Sequence, residues 1–348
     1  MRCYIGVDTS NYTTSVGIVD ADGGIVANVK RLLPVADGAC GLRQSDAVFA
    51  HVKNLPLVFR EAAPLLEGAE ILGIGCSVRP RNVDGSYMPC FLCGAAAAET
   101  LAAGRGLSPI AFSHQCGHIA AALTSAGAWA IADAPFLAFH VSGGTTEVLL
   151  CRSDGDGFRS EIIGGTRDLN AGQVIDRAGV MMGMQFPCGA ALEAAAASCT
   201  GRLEKPKISV AGAFCNLSGL QNIAEKCYRE SGDAAKTSAL VLDFVGRTLF
   251  AMAKGARAEH GDLPILFAGG VMSNKKIGAM LASLGNVYFA EPRLSSDNAV
   301  GIAELTRRKC RGLLKQMEGG AYNGCFGRSV WQCARTARRR HGDRHAAQ

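Results

Sequence analysis

Two stretches of this chain follow the same order of elements, and that repetition limits the fold more than any other feature. "RCYIGVDTSNYTTSVGIVDADGGIVANVKRLL" runs apolar strand, polar turn, strand, Asp-Gly-Gly turn, strand. About 130 residues later, "PFLAFHVSGGTTEVLLCRSDGDGFRSEII" repeats the order with a Gly/Ser/Thr turn and a Gly-Asp turn. The residues differ, so the repeat is structural and not a sequence repeat. After each meander, strand-like and helix-like runs alternate. "ILGIGCSV" and "ISVAG" read as short buried strands, and "NVYFAEP" as a late strand. "LPILFAGGVMSNKKIGAMLASLG" reads as strand, Gly-rich turn and helix. "SSDNAVGIAELTRRKC" reads as a capped helix, with Ser295 or Ser296 as the cap and Asp297 in its first turn. Two halves built this way predict a duplicated, actin-like α/β architecture. Its first lobe covers residues 1–133 and is rejoined by a helix over 297–316. Its second lobe covers 134–296, and a nucleotide lies in the cleft between the lobes.

Composition removes several other classes. The chain has 348 residues, 48% of them hydrophobic and 19% charged, an ordinary soluble balance. No run approaches the roughly 18–20 uncharged apolar residues that span a bilayer. The start, MRCYIGVDTS, lacks the long apolar centre of a signal peptide, so the chain reads as cytoplasmic, with no membrane partner. Fourteen cysteines without an export signal read as reduced thiols. Cys90 and Cys93 have C-x-x-C spacing but no second such pair, which favours core packing over a zinc knuckle. The last 22 residues hold six Arg and one Asp, a net +5 of the chain's +6. This basic tail, 317–348 with Arg335, Arg338, Arg339 and Arg340, reads as a solvated, disordered terminus, with a nucleic-acid contact as the alternative.

Three turns support the cleft. Residues 8–14 ("DTSNYTT") and 142–147 ("SGGTTE") each join two strands, and their small residues let backbone N–H groups face a phosphate. Residues 268–274 ("AGGVMSN") end a strand and open a helix whose N-terminus favours anions. His114 and His118 stand four apart on a helix-like run, so both imidazoles project from one face and can share a cation. The zinc-protease motif H-E-x-x-H carries a water-activating Glu; here that position is Gln115, which cannot act as a base. A further ligand is needed, and Asp297 is the best-placed carboxylate. The alternative for Asp297 is that it only complements the dipole of its helix.

With these motifs in order, the chain resembles the TsaD family of tRNA threonylcarbamoyl transferases, formerly regarded as glycoproteases. The resemblance runs from about residue 1 to 312. H-x-x-x-H is matched by His114 and His118, V-S-G-G by Val141, Ser142, Gly143 and Gly144, and A-G-x-x-x-D by "AGQVID" ending at Asp176. P-G-G appears as "PCG" with Gly189, S-F-S-G-L as "CNLSGL", A-G-G-V-x-x-N as Ala268 to Asn274, and D-N as Asp297 and Asn298. The chain departs from the family at "SNYTTS" in the first turn, at "RPRNVDGSYMPCFLCG" in place of G-P-G-L, and at Thr145 in place of a His. It looks like a divergent member or paralogue.

The resemblance implies an actin-like ATPase (ASKHA) fold with two lobes and a central nucleotide and metal cleft. It implies transfer of a threonylcarbamoyl group from threonylcarbamoyl-AMP to N6 of the adenosine just 3′ of the anticodon in tRNA. It implies one divalent metal on His114, His118 and Asp297, iron before zinc, and a substrate site of His140, Val141, Ser142, Gly143, Gly144, Asp176, Gly189 and Asn274. The expected partners are threonylcarbamoyl-AMP, ATP or AMP, tRNA, and proteins of the transfer complex. Two other readings stand beside it. One is an actin-like small-molecule kinase, which leaves the histidine pair without a role. The other is a catalytically weak nucleotide-binding scaffold, which the altered first turn and Thr145 favour.

Overall fold

The computed structural model describes residues 1–34, 42–83, 85–155, 157–294 and 297–318. The basic tail beyond 318, with its four singled-out arginines, and Ser295 and Ser296 lie outside the described residues.

The chain divides into two compact units. Of the described residues, one gathers those in 1–124, 153–159 and 297–318; the other gathers those in 125–152 and 160–294. In order, the elements of the first part of the chain are β1 (Arg2–Thr9), β2 (Thr13–Asp20), β3 (Ile25–Leu32), α1 (Gln44–Ala62), β4 (Glu70–Arg79), α2 (Phe91–Ala103), β5 (Ile110–Ser113) and α3 (His114–Ser125). Then follow β6 (Phe136–Val141), β7 (Thr146–Asp154), β8 (Gly157–Thr166), α4 (Ala171–Met181), α5 (Gly189–Ala197), β9 (Ser209–Ala211) and β10 (Phe214–Asn216). The last are α6 (Ser218–Ser231), α7 (Ala234–His260), β11 (Ile265–Ala268), α8 (Lys275–Ala282), β12 (Val287–Phe289) and α9 (Val300–Glu318).

The duplication expected from the sequence is visible in the strand order. One sheet reads β3-β2-β1-β4-β5 and the other contains β8-β7-β6-β11-β12. In each, the meander's first strand pairs antiparallel with the second and parallel with a strand that arrives after a helix. The second sheet adds β10 and β9 at its edge. There "ISVAG" forms a three-residue strand that is largely exposed, not buried as its apolar residues predict, because it pairs on one side only.

In the first unit, Ile5, Val7, Val16, Ile18, Ile74 and Cys76 form one face of the sheet and pack on Val58 of α1 and Ala95 and Ala98 of α2. The opposite face carries a row of glycines. Gly17 is in register with Gly6, and Gly6 with Gly75. A Cβ at Gly6 or Gly17 would collide with the backbone of α9's start near Ala299, Val300 or Ala303, and one at Gly75 would meet the Thr306 hydroxyl. The missing side chains let α9 lie directly on the strands. A second glycine contact joins α9 to α3: a Cβ at Gly301 would overlap the Gly117 carbonyl. The segment before α9 is thereby held against the start of α3, where the two histidines sit.

The second unit is built around α7, whose Ala239, Val241, Val245, Leu249 and Met252 are fully or almost fully buried beside Leu137, Phe139 and Phe267 of the sheet. The described cysteines are all free; of the C-x-x-C pair, Cys90 is fully buried and Cys93 half-buried. Among the described residues no helix is long and apolar enough to cross a membrane.

Candidate functional site

His114 is the first residue of α3 and follows the last residue of β5, so the strand end fixes where its imidazole starts. His118 lies one turn on, and the two Nε2 atoms are 3.0 Å apart. Asp297 reaches them from the segment before α9: its Oδ1 is 3.1 Å from His118 Nε2 and 3.7 Å from His114 Nε2. The three ligand atoms all lie within 4.8 Å of one another, and among the described residues this is the one such group. Two imidazoles and a carboxylate form a donor set suited to first-row divalent metals. The side chains are 19–26% exposed, leaving an open approach for further ligands.

Asp297 does not sit in the first turn of its helix. The helix starts at Val300, and Asn298 Oδ1 accepts the Val300 N–H at 3.0 Å. Asn298 therefore does the capping, and Asp297 is turned toward the histidines.

The residues that surround this group come from the first turn, 8–14, which the sequence singled out for a phosphate and not as partners of the histidines and Asp297. Asp8, at the end of β1, is fully buried, and its Oδ1 is 3.0 Å from His114 Nδ1. An Nδ1–H donated to Asp8 leaves the Nε2 lone pair for a metal, the usual carboxylate–histidine–metal arrangement. Burial alone would lower the His114 pKa, but the charge and hydrogen bond of Asp8, with the charge of Asp297, raise it to about 9. Burial likewise opposes ionisation of Asp297, yet the His118 hydrogen bond, the two imidazoles and the Ser10 hydroxyl hold its carboxyl well below the usual range. Ser10 Oγ donates to Asp297 Oδ2 at 2.8 Å. His114 would exchange a bound proton for a metal cation.

The second unit holds a cavity of about 350 Å3 lined by Gly143, Asp176, Gly189, Glu193, Gly270 and Asn274, among others. Four of the eight substrate-site residues expected from sequence are thus on one wall; His140, Val141, Ser142 and Gly144 are not. Val141 is fully buried in the core. Ser142 Oγ accepts the Gly144 and Thr145 N–H groups and so closes the β6–β7 turn. Three glycines of the wall have nothing within 4 Å of where a Cβ would stand: Gly143, Gly189 and Gly270. Packing does not demand glycine at these places, and the bare backbone lets a ligand approach closely.

Three polar side chains on the wall, Asp176, Glu193 and Asn274, each spend one atom on holding it. Asp176 Oδ1 accepts the Cys188 N–H at 2.8 Å. Asn274 caps α8 by accepting from Ile277 N–H at 3.0 Å, and Glu193 Oε1 accepts the Lys275 N–H at 2.7 Å. The donors at the start of α8, expected from the sequence to favour an anion, are therefore engaged with Asn274 and a carboxylate. Asp176, Glu193 and Asn274 each keep a second polar atom for a ligand, a set that matches hydroxyls and amines better than phosphate.

A family model for TsaD, tRNA N6-adenosine threonylcarbamoyltransferase, matches residues 46–304. Among solved structures, full-length HypF in its phosphate- and nucleotide-bound form is similar at 13% identity and a TM-score of 0.53, covering 92% of this chain and 56% of that one. T. kodakarensis HypF is similar at 15% identity and 0.52, covering 89% and 48%. A ROK family transcriptional regulator homologous to the E. coli MLC protein follows at 11% identity and 0.50, covering 91% and 80%. The chain spans about half the length of the two HypF structures. At these identities the likenesses establish the fold alone, the actin-like ATPase fold expected from the paired meanders. The family match begins after the divergent first turn and carries both histidines, Asp176, Gly189, Asn274 and Asp297. This chain belongs to the TsaD family of tRNA N6-adenosine threonylcarbamoyltransferases.

Proposed function

We propose that this chain transfers a threonylcarbamoyl group from threonylcarbamoyl-AMP to N6 of the adenosine 3′ of the anticodon in tRNA. The observation that carries this reading is the convergence of His114, His118 and Asp297, with Asp8 behind His114, in a chain that belongs to this family. A kinase acting on a small substrate has no use for such a group.

His114, His118 and Asp297 would hold one divalent metal, iron before zinc, which when bound supplies Lewis acidity toward an acyl or phosphoryl oxygen. The remaining work falls to the protein. The amine of the adenosine attacks the carbamoyl carbon, AMP leaves with the bonding electrons, and the amine gives up a proton. Gly143, Gly189 and Gly270 let the nucleoside part of the donor lie against bare backbone. The second carboxylate oxygens of Asp176 and Glu193 accept its hydroxyls, and the Asn274 amide donates to it. Asp8 holds His114 in one tautomer and orientation. Such a site works by positioning, which alone contributes several kcal/mol to acyl transfer, roughly 7–11 in well-oriented systems. His140, Val141, Ser142 and Gly144 support the β6–β7 turn that presents Gly143. The reaction would take place in the cytoplasm with tRNA and the proteins of the transfer complex as partners, and the two lobes expected at 1–133 with 297–316 and at 134–296 would supply the metal and nucleoside sites.

A scaffold that binds nucleotide without turnover is favoured by Thr145, which offers no imidazole where the family has His; its backbone N–H and C=O only close the Ser142 turn, as any residue's would. Nucleoside analysis separates the two readings. tRNA from cells lacking the chain is digested and compared by mass spectrometry with tRNA from cells that overproduce it. Transfer activity predicts a change in threonylcarbamoyladenosine content; identical content in both favours the scaffold.

A further inference from the structure

His51 lies on the buried face of α1, with no side-chain surface exposed, and no part of the reaction above uses it. Burial pushes its pKa below the ordinary histidine value, so the ring is neutral. Its Nε2 is 2.8 Å from the Ser10 carbonyl, which can only accept, so Nε2 carries the hydrogen. Its Nδ1 then accepts from Thr14 Oγ1 at 2.8 Å. The ring therefore spans the first turn and fixes Ser10 from the helix side. Ser10 in turn donates through Oγ to Asp297 Oδ2 at 2.8 Å, while Asp297 Oδ1 faces both histidines.

We infer that His51 is a positioning residue for the metal centre: by pinning the Ser10 backbone, it aims the Ser10 hydroxyl at one oxygen of Asp297 and so leaves Asp297 a one-oxygen ligand. This rests on the reading of His114, His118 and Asp297 as metal ligands. Outer partners that fix ligands in this way are commonly worth tenfold to a hundredfold in metal affinity. A histidine that merely fills the core would leave the ligands indifferent to which of its two hydrogen bonds survives.

Two amide replacements separate its two bonds. Gln places an N–H near the Nε2 position and keeps the Ser10 bond; Asn places an oxygen near Nδ1 and keeps only the Thr14 bond. The experiment titrates the full chain with Co2+, following the visible absorption of the bound ion, for wild type, His51→Gln, His51→Asn, Ser10→Ala and His118→Ala, with Tm measured for each. The inference predicts near-wild-type affinity and spectrum for His51→Gln. It predicts at least about tenfold weaker binding and altered bands for both His51→Asn and Ser10→Ala. Wild-type Co2+ affinity and spectrum in His51→Asn and Ser10→Ala would overturn it, as would equal losses in His51→Gln and His51→Asn that track Tm. Should His51→Asn fail to fold, His51→Ala with imidazole added back decides: restored Co2+ affinity and bands support the inference, and wild-type affinity and bands without imidazole overturn it. If wild type takes up no Co2+, or His118→Ala binds it unchanged, the metal reading itself falls and this inference falls with it.

Discussion

His118 Nε2 lies 3.1 Å from Asp297 Oδ1, across 179 residues of sequence. The contact is a consequence of small residues. The glycine row of β1, β2 and β4 lets α9 lie on the sheet, and Gly117 against Gly301 sets α3 beside it. Replacing His118 with Ala should remove stoichiometric metal, read by elemental analysis, with little change in Tm, because Asp8 and His114 remain paired. His114→Ala should also lose the metal but cost about 1–3 kcal/mol more, since the fully buried Asp8 carboxylate is left without its partner. A full complement of metal in the His118→Ala protein would exclude this site.

The glycines separate into structural and ligand-facing kinds. Gly143→Ala and Gly189→Ala meet no neighbour within 4 Å, so both should fold with Tm within a few degrees of wild type. Each should nevertheless reduce the thermal stabilisation given by AMP, since a ligand that binds only the native state stabilises it by an amount that grows with the logarithm of its concentration over Kd. Gly269 is different: its φ is +106° and a Cβ there would strike the Val141 carbonyl. Gly269→Ala should lower Tm strongly whether or not nucleotide binds. Undiminished AMP shifts in both wall variants would remove the cavity from the ligand site.

Asp168 accepts from the N–H groups of Leu169, Leu217 and Ser218 and from the Ser218 hydroxyl, and so holds the end of β8 to the start of α6. Burial opposes its ionisation, but these donors hold its carboxyl well below the usual carboxylate range. A carboxyl whose folded value is depressed adds stability above its unfolded value, and that stability is lost as pH falls from about 4 toward the folded value. Asp168→Ala should cost about 1 kcal/mol at neutral pH, as loss of a helix cap does, and should flatten the acid limb of Tm against pH. An unchanged acid limb would show that these bonds contribute nothing.

Much of this was legible in the sequence, for identifiable reasons. The two meanders could be read because alternation and turn residues are local, and His114 and His118 because one helical turn fixes their spacing. Asp297 could be named but not placed, since capping by Asn298 decides where α9 begins. Asp8 was missed as a partner of His114 because their bond spans 106 residues and depends on parallel packing of β1 and β4. Its one signal was an Asp ending an otherwise apolar strand. His51 had a clearer signal: it shares a helix face with Ala47, Leu55, Val58 and Ala62, and a histidine on a core face needs partners. Glu193 carried none, because its role comes from α5 meeting the start of α8 in space.

Asn274→Ala joins two of these features. Its side chain caps α8 and lines the cavity, so the substitution should cost about 1 kcal/mol of stability and also weaken AMP binding. Restoring the cap alone with Asn274→Ser or Asn274→Asp should recover Tm but not the AMP shift. Recovery of both would assign Asn274 to the cap only.

Threonylcarbamoyl transfer can be reconstituted from purified components. Purified full-length chain loaded with metal, the protein partners of a threonylcarbamoyl-transfer complex, preformed threonylcarbamoyl-AMP and unmodified tRNA are combined, and digested tRNA is measured for threonylcarbamoyladenosine. The modified nucleoside should form, and its formation should fall to background with His118→Ala and sharply with Gly189→Ala. No modified nucleoside, under conditions where an undiverged family member produces it, would mean that this chain does not catalyse the transfer.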